Sequence, residues 1–198
     1  MGGRVGLKGT DGEDILNLAI QRGTVPESEQ KALKTLEQLL PLKEDFKFLV
    51  AKGDMGKHAV KSHDFKHEVI YEPSERTDST DSKQFIERLI TKEVDLLLFA
   101  GGDGTARVVA RTLRDALPVI GIPTGVKIHS PIYAVSPEDA GTLALKFLTT
   151  STLSVQEKEV IDIEEEAFRR DQIQTKVYGY LMVPFEETHL QLERFNFR

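Results

Sequence analysis

The stretch from Val94 to Leu113, VDLLLFAGGDGTARVVARTL, limits the possible folds more than any other part of the chain. Val94 to Ala100 is apolar almost without a break, which suits a central strand buried on both faces of a parallel sheet. Gly101, Gly102 and Gly104 then force a sharp turn, and from Thr105 the apolar residues recur at helical spacing. A strand, a tight turn and a helix in that order form half of a parallel crossover unit.

The same alternation recurs along the chain. Phe46 to Ala51, Glu68 to Tyr71 and Pro118 to Ile122 read as further strands, with a weaker one at Ile132 to Val135. Helical patterns run over Glu13 to Arg22, Glu27 to Leu40, Lys57 to Asp64, Lys83 to Lys92, Thr105 to Ala116 and Pro137 to Leu148. Alternation of this kind predicts an α/β fold, with a doubly wound, mostly parallel sheet covered by helices on both faces. Residues 1–150 are expected to form this domain. After about Thr150 the pattern changes, and Leu153 to Ile163 and Thr175 to Val183 read as two strands with a short connection. Residues 151–198 are therefore expected to begin a β-rich second domain, and they are too few for a large core of their own. The chain opens in MGGRVGLKGTDG, without the strand that usually begins a doubly wound sheet, so both ends are expected to be cut.

Charge and composition narrow the partners. The net charge is −6, and the 26 Lys and Arg are scattered along the chain. Nucleic acid is not an expected partner, because phosphate backbones need clustered cations. With no cysteine there is neither a disulfide scaffold nor a thiolate metal site. The longest apolar run, Val94 to Ala100, is too short to cross a bilayer, and no membrane partner is expected. A cytoplasmic setting follows as the expectation.

The glycine turn carries the chemistry. Gly101, Gly102 and Gly104 let backbone N–H groups approach a phosphate, and the following helix adds its free N–H groups and its dipole. Thr105 is expected to cap that helix. Asp103 stands in the middle of an anion site, where a carboxylate is costly unless it binds a cation or accepts a proton. Neither a Walker lysine nor the GxGxxG of dinucleotide folds follows the turn. A second turn, Gly121 to Ser130 (GIPTGVKIHS), follows the next strand. Consecutive parallel strands end on the same side, so Thr124, Gly125 and Lys127, with His129 and Ser130, are expected near the first turn. The plainer alternative is a Pro-Gly turn with solvated side chains.

These segments resemble the ATP-NAD kinase family, within the superfamily that includes diacylglycerol and sphingosine kinases. The likeness is to the subgroup of polyphosphate- or ATP-dependent NAD kinases related to the acetoin-catabolism protein AcoX. It rests on MGGRVGLKGTDG (Met1 to Gly12), LLFAGGDGTAR (Leu97 to Arg107), GIPTGVKIHSPIYAVSPEDAG (Gly121 to Gly141) and EVIDIEEEAFRR (Glu159 to Arg170). The resemblance implies a two-domain kinase whose site is completed by an all-β domain. It also implies phosphoryl transfer from ATP or polyphosphate, with Mg²⁺, to the 2′-hydroxyl of the NAD adenosine ribose, giving NADP. Asp103 would activate that hydroxyl, and Gly101, Gly102, Gly104, Thr105, Thr124, Gly125 and Lys127 would hold the nucleotide. The partners so implied are NAD and ATP. The alternatives are a lipid kinase of the diacylglycerol type and a nucleotide-binding regulator without catalysis.

Other features are weighed more plainly. His58, His63 and His67 do not share one helix face, and no protein metal site is expected. Thr77 to Ser82 is read as a capping region for the helix after it, with contact to a nucleotide as the alternative. Glu164 to Glu166 reads as a solvated acidic turn. Val177, Tyr178, Tyr180, Leu181 and Val183 are expected to be exposed on unpaired strands, driving self-association into a homo-oligomer.

Overall fold

The computed structural model describes residue 21 and residues 27–125, 128–150, 153–163, 174–186 and 189. Eleven helices and strands are described. In order they are α1 (Ser28–Glu37), β1 (Phe48–Ala51), α2 (Lys57–Ser62), β2 (His67–Tyr71), α3 (Ser79–Leu89), β3 (Leu97–Gly101), α4 (Asp103–Leu113), β4 (Val119–Pro123), α5 (Pro137–Thr149), β5 (Val155–Ile163) and β6 (Thr175–Pro184). The helical pattern read over Glu13 to Arg22 lies outside the described residues except for Gln21, which is helical.

Apolar spacing decides which faces are buried. In α4 the buried positions Ala106, Val109, Ala110 and Leu113 recur at the three- and four-residue steps of one helix face. Burying a valine or leucine fully is worth about 1.5–3 kcal/mol, so Val109 and Leu113 hold this helix against its strands. All five residues of β4 are buried. In α1 the run ends at Glu37, and Pro41 sits in the short 3₁₀ turn Leu40–Leu42 that follows.

The strands pair two by two among the described residues. β1 and β2 are parallel, from Phe48 opposite His67 to Ala51 opposite Tyr71. β3 and β4 are parallel, from Leu97 opposite Val119 to Gly101 opposite Pro123. β5 and β6 are antiparallel, from Val155 opposite Pro184 to Ile163 opposite Thr175. The fold is therefore mixed α/β with parallel strand pairs, and no ladder joins β1 to β3. α1 packs against α2 and α5, whereas α3 packs against α4, and the β5–β6 pair lies on α4 and β4.

Three sequence expectations are corrected. Helix α3 starts at Ser79 and not at Lys83, because the Asp78 carboxylate accepts hydrogen bonds from the N–H groups of Thr80 and Asp81 and opens the helix a turn earlier. Ile132 to Val135 is not a strand; Tyr133 makes an isolated parallel bridge to Gly121. Of the residues expected to be exposed on β6, Leu181 and Val183 are fully buried, and the exposed large apolar ones are Val177 and Tyr180. The burial comes from packing on the α/β part, which leaves one face of the hairpin covered.

Candidate functional site

The site forms where β3 and β4 end side by side. Gly101 is the last residue of β3, and its carbonyl accepts a hydrogen bond from the Thr124 N–H at 3.0 Å. A Cβ on Gly101 would sit 2.5 Å from the Thr105 side chain, so only glycine lets α4 start this close to the strand. Gly102 is extended and precedes α4, and no side chain caps the helix. Thr105 is thus not the cap, contrary to expectation. Asp103 has already begun the helix, which leaves Thr105 in the first turn, packed under Gly101.

The two turns touch. A Cβ built on Gly102 would meet the Gly125 Cα at 3.8 Å, an ordinary contact, so the glycines face each other with no side chain between them. The parallel register carries this: Pro123 lies opposite Gly101, and the chain after it must pass beside the first turn. Gly101, Gly102, Gly104, Thr105, Thr124 and Gly125 therefore gather around one helix N-terminus. Lys127 lies outside the described residues. The Lys31 Nζ of α1 lies 3.5 Å from the Thr124 carbonyl.

Asp103 faces the second turn. Its carboxylate accepts the His129 N–H at 2.8 Å, the Ser130 N–H at 3.1 Å and the Ser130 hydroxyl at 2.7 Å. The residue is 7% exposed. Burial pushes its pKa above the ordinary value, the three hydrogen bonds work against that, and the Asp162 carboxylate adds to the rise. Ser130 is itself fully buried, and its oxygen also accepts the Ile161 N–H of β5 at 2.9 Å. Ser130 thus joins Asp103 to β5 and does not line an open face. The His129 Nε2 is buried without a partner among the described residues.

Three further residues shape the site without having been singled out in the sequence. The Tyr133 hydroxyl donates to the Gly102 carbonyl at 2.6 Å, and its ring occupies the place where a Cβ on Gly121 would lie, 2.5 Å away. Arg107, one turn into α4, pairs with Asp162 at 3.1 Å and stacks over the Tyr178 ring at 4.1 Å. The isolated bridge at Gly121 is the trace of the tyrosine contact, and a glycine inside an apolar strand was its only sequence signal.

Mg²⁺ takes oxygen ligands such as carboxylates. Among the described residues no group of three or more His, Asp or Glu side chains stands close enough to hold an ion. Asp103 already uses three of its roughly four acceptor positions on the second turn. The described residues therefore form no protein cage for the ion. No described helix is long and apolar enough to cross a membrane.

Comparison with known proteins gives one family. The model described as ATP-NAD kinase N-terminal domain matches residues 19–152, which is more than half of the chain. No match was found among curated proteins or among solved structures.

Proposed function

We propose, from the premise that the chain belongs to the ATP-NAD kinase family, that it is the nucleotide-holding part of an NAD kinase. The reaction is transfer of a phosphoryl group from ATP or polyphosphate to the 2′-hydroxyl of the NAD adenosine ribose. One observation carries this reading: two glycine turns meet at the N-terminus of α4, which no side chain caps. Uncapped N–H groups and the helix dipole favour a polyphosphate there, and phosphoryl transfer needs mainly positioning and charge neutralisation.

In this reading Gly101, Gly102, Gly104, Thr105, Thr124, Gly125 and Lys127 hold the phosphates. Asp103 receives the proton of the attacking hydroxyl. Burial raises its pKa, which makes the carboxylate a stronger base than a solvated one, and the Ser130 and His129 hydrogen bonds fix its direction. Mg²⁺, when present, would be held by the donor's phosphates and water and would neutralise charge there. The doubly wound sheet, the division into residues 1–150 and 151–198, self-association and a cytoplasmic setting belong to the same proposal.

The test is a donor screen on the intact enzyme, ATP against polyphosphate with NAD as acceptor, reading NADP formed. NADP production from either donor supports the proposal. Phosphorylation of a diacylglycerol without NAD, or no transfer to NAD from either donor, overturns it.

A further inference from the structure

The β5–β6 hairpin reaches the site through an irregularity in its own ladder. The register shifts between Val160 and Ile161, so Gly179 lies opposite Val160, Val177 opposite Ile161, and Tyr178 opposite neither. A bulge of this kind releases backbone groups from the ladder and re-aims a side chain. Both effects bear on the site. The Ile161 N–H donates to the Ser130 hydroxyl oxygen at 2.9 Å, and the Ile161 carbonyl lies 2.8 Å from the same oxygen. Tyr178, the extra residue, places its ring centre 4.1 Å from the Arg107 guanidinium. Gly179 permits the approach, since a Cβ there would stand 3.2 Å from the Ala110 Cβ of α4.

The contacts close a ring. Asp103 and Arg107 stand one turn apart on α4. Arg107 pairs with Asp162 at 3.1 Å, and each of these side chains is 22% exposed. Ile161, beside Asp162 in β5, holds Ser130, and Ser130 holds Asp103. The Ser130 hydroxyl has one proton and two acceptors within reach, the Asp103 carboxylate at 2.7 Å and the Ile161 carbonyl. A charged acceptor makes the stronger bond, so the proton turns to Asp103 while that group is ionised.

Charge is balanced around the same ring. Asp162 acts on Asp103 as a like charge, and Arg107 offsets it. The other charged groups on elements packed against α4 are directed elsewhere. Lys176 of β6, opposite Asp162 in the register, lies 5.9 Å from the Tyr178 ring, as does Arg111 of α4 itself. On α3, Lys83 pairs with Glu87, and Arg88 donates to the Ile70 carbonyl. β3 carries no charged residue, and from the second turn His129 and Ser130 face Asp103 through their hydrogen bonds.

We propose that Arg107 and Asp162 are positioning residues for the base. Their pair pins the bulged end of the hairpin to α4, so that Ser130 aims Asp103. It also cancels the Asp162 charge, which alone would favour a proton on Asp103. The inference rests on the reading of Asp103 as the base of the kinase, but its first test needs no turnover. Carboxyl carbon NMR follows the titration of Asp103 in the 198-residue chain. Arg107→Gln leaves Asp162 uncompensated and moves the Asp103 midpoint up by about one pH unit. Asp162→Asn leaves the Arg107 charge unpaired and moves the midpoint down by a similar amount. The double variant returns close to the starting value, and Arg107→Lys, which keeps the charge, stays near it. In the intact enzyme, with NAD as acceptor, the acid limb of kcat shifts in the same directions. A brace without electrostatic effect would weaken both single variants alike and move no midpoint. Unmoved midpoints in folded variants, or shifts of one sign in both single variants, overturn the proposal. Where Arg107→Gln does not fold, Asp162→Asn and Arg107→Lys decide by the same signs. Opposite shifts with no transfer to NAD by the unaltered enzyme overturn the kinase reading and leave the charge pair standing. Transfer to NAD with unmoved midpoints does the reverse.

Discussion

Helices α3 and α4 each carry an aspartate in the first turn, yet the two ends have opposite chemistry. In α3 the Asp78 and Asp81 carboxylates cap each other's backbone, and Asp81 also accepts the N–H and hydroxyl of Ser74 and the hydroxyl of Tyr71. Hydrogen bonds from the Asp78 and Ser74 N–H groups lead in drawing its pKa down to about 2. In α4 the Asp103 carboxylate turns away from its own helix toward His129 and Ser130, and burial raises its pKa. One helix end is sealed by its own acids. The other is left without a side-chain cap, and its acid fastens a second glycine turn beside it. An acidic residue near a helix start therefore reveals little until its partners are known.

The sharpest break of this comparison is Asp103→Asn set against Asp81→Asn in the intact enzyme. Loss of a general base typically costs ~10²–10⁴-fold, so Asp103→Asn should lower turnover on NAD by that much. Asp81→Asn should leave turnover per folded molecule unchanged. Equal losses in steady-state assays would mean that both aspartates are structural.

Next in size is the contrast between two adjoining glycines. Gly102→Ala meets Gly125 at an ordinary distance, so the thermal midpoint should barely move, while nucleotide affinity falls by about tenfold or more because a methyl group blocks the N–H groups. Gly101→Ala collides with Thr105 and should destabilise the fold instead. Calorimetry of binding beside thermal melts of both variants distinguishes the two effects.

Asp81→Ala should cost about 1–3 kcal/mol in urea unfolding, since it removes the acceptor of the buried Tyr71 hydroxyl and of the part-buried Ser74 N–H. The pH dependence sharpens the same contrast. Asp81, with its pKa lowered from 3.8 to about 2, contributes stability above pH 3.8 that is lost as pH falls through about 2. Asp103 has the opposite sign: its pKa is raised, so its burial costs stability as pH climbs above 3.8 and through the raised value. Carboxyl carbon NMR should show Asp81 titrating below Asp103, and the reverse order would sink the comparison. The smallest effect belongs to Tyr133→Phe, which removes one hydrogen bond to Gly102 and should cost about 1 kcal/mol in unfolding experiments.

The elements and the main turn were legible in the residues alone. Apolar residues repeating every three or four positions give α1, α4 and α5, and short apolar runs give β1 to β4, because these periods follow from local backbone geometry. The meeting of the two glycine turns was also legible, since consecutive parallel strands must end on one side. What Asp103 binds came from packing between distant segments. Its partners lie 26 and 27 residues onward, and they are held in place by β5, a segment farther on still. The same holds for Tyr133 on Gly102 and Arg107 on Asp162. It holds too for the cavity of about 450 Å³ lined by residues of both β1 and β3, which no single strand records. A buried polar group takes whichever partner packing brings to it, and packing between distant segments leaves no period in the chain.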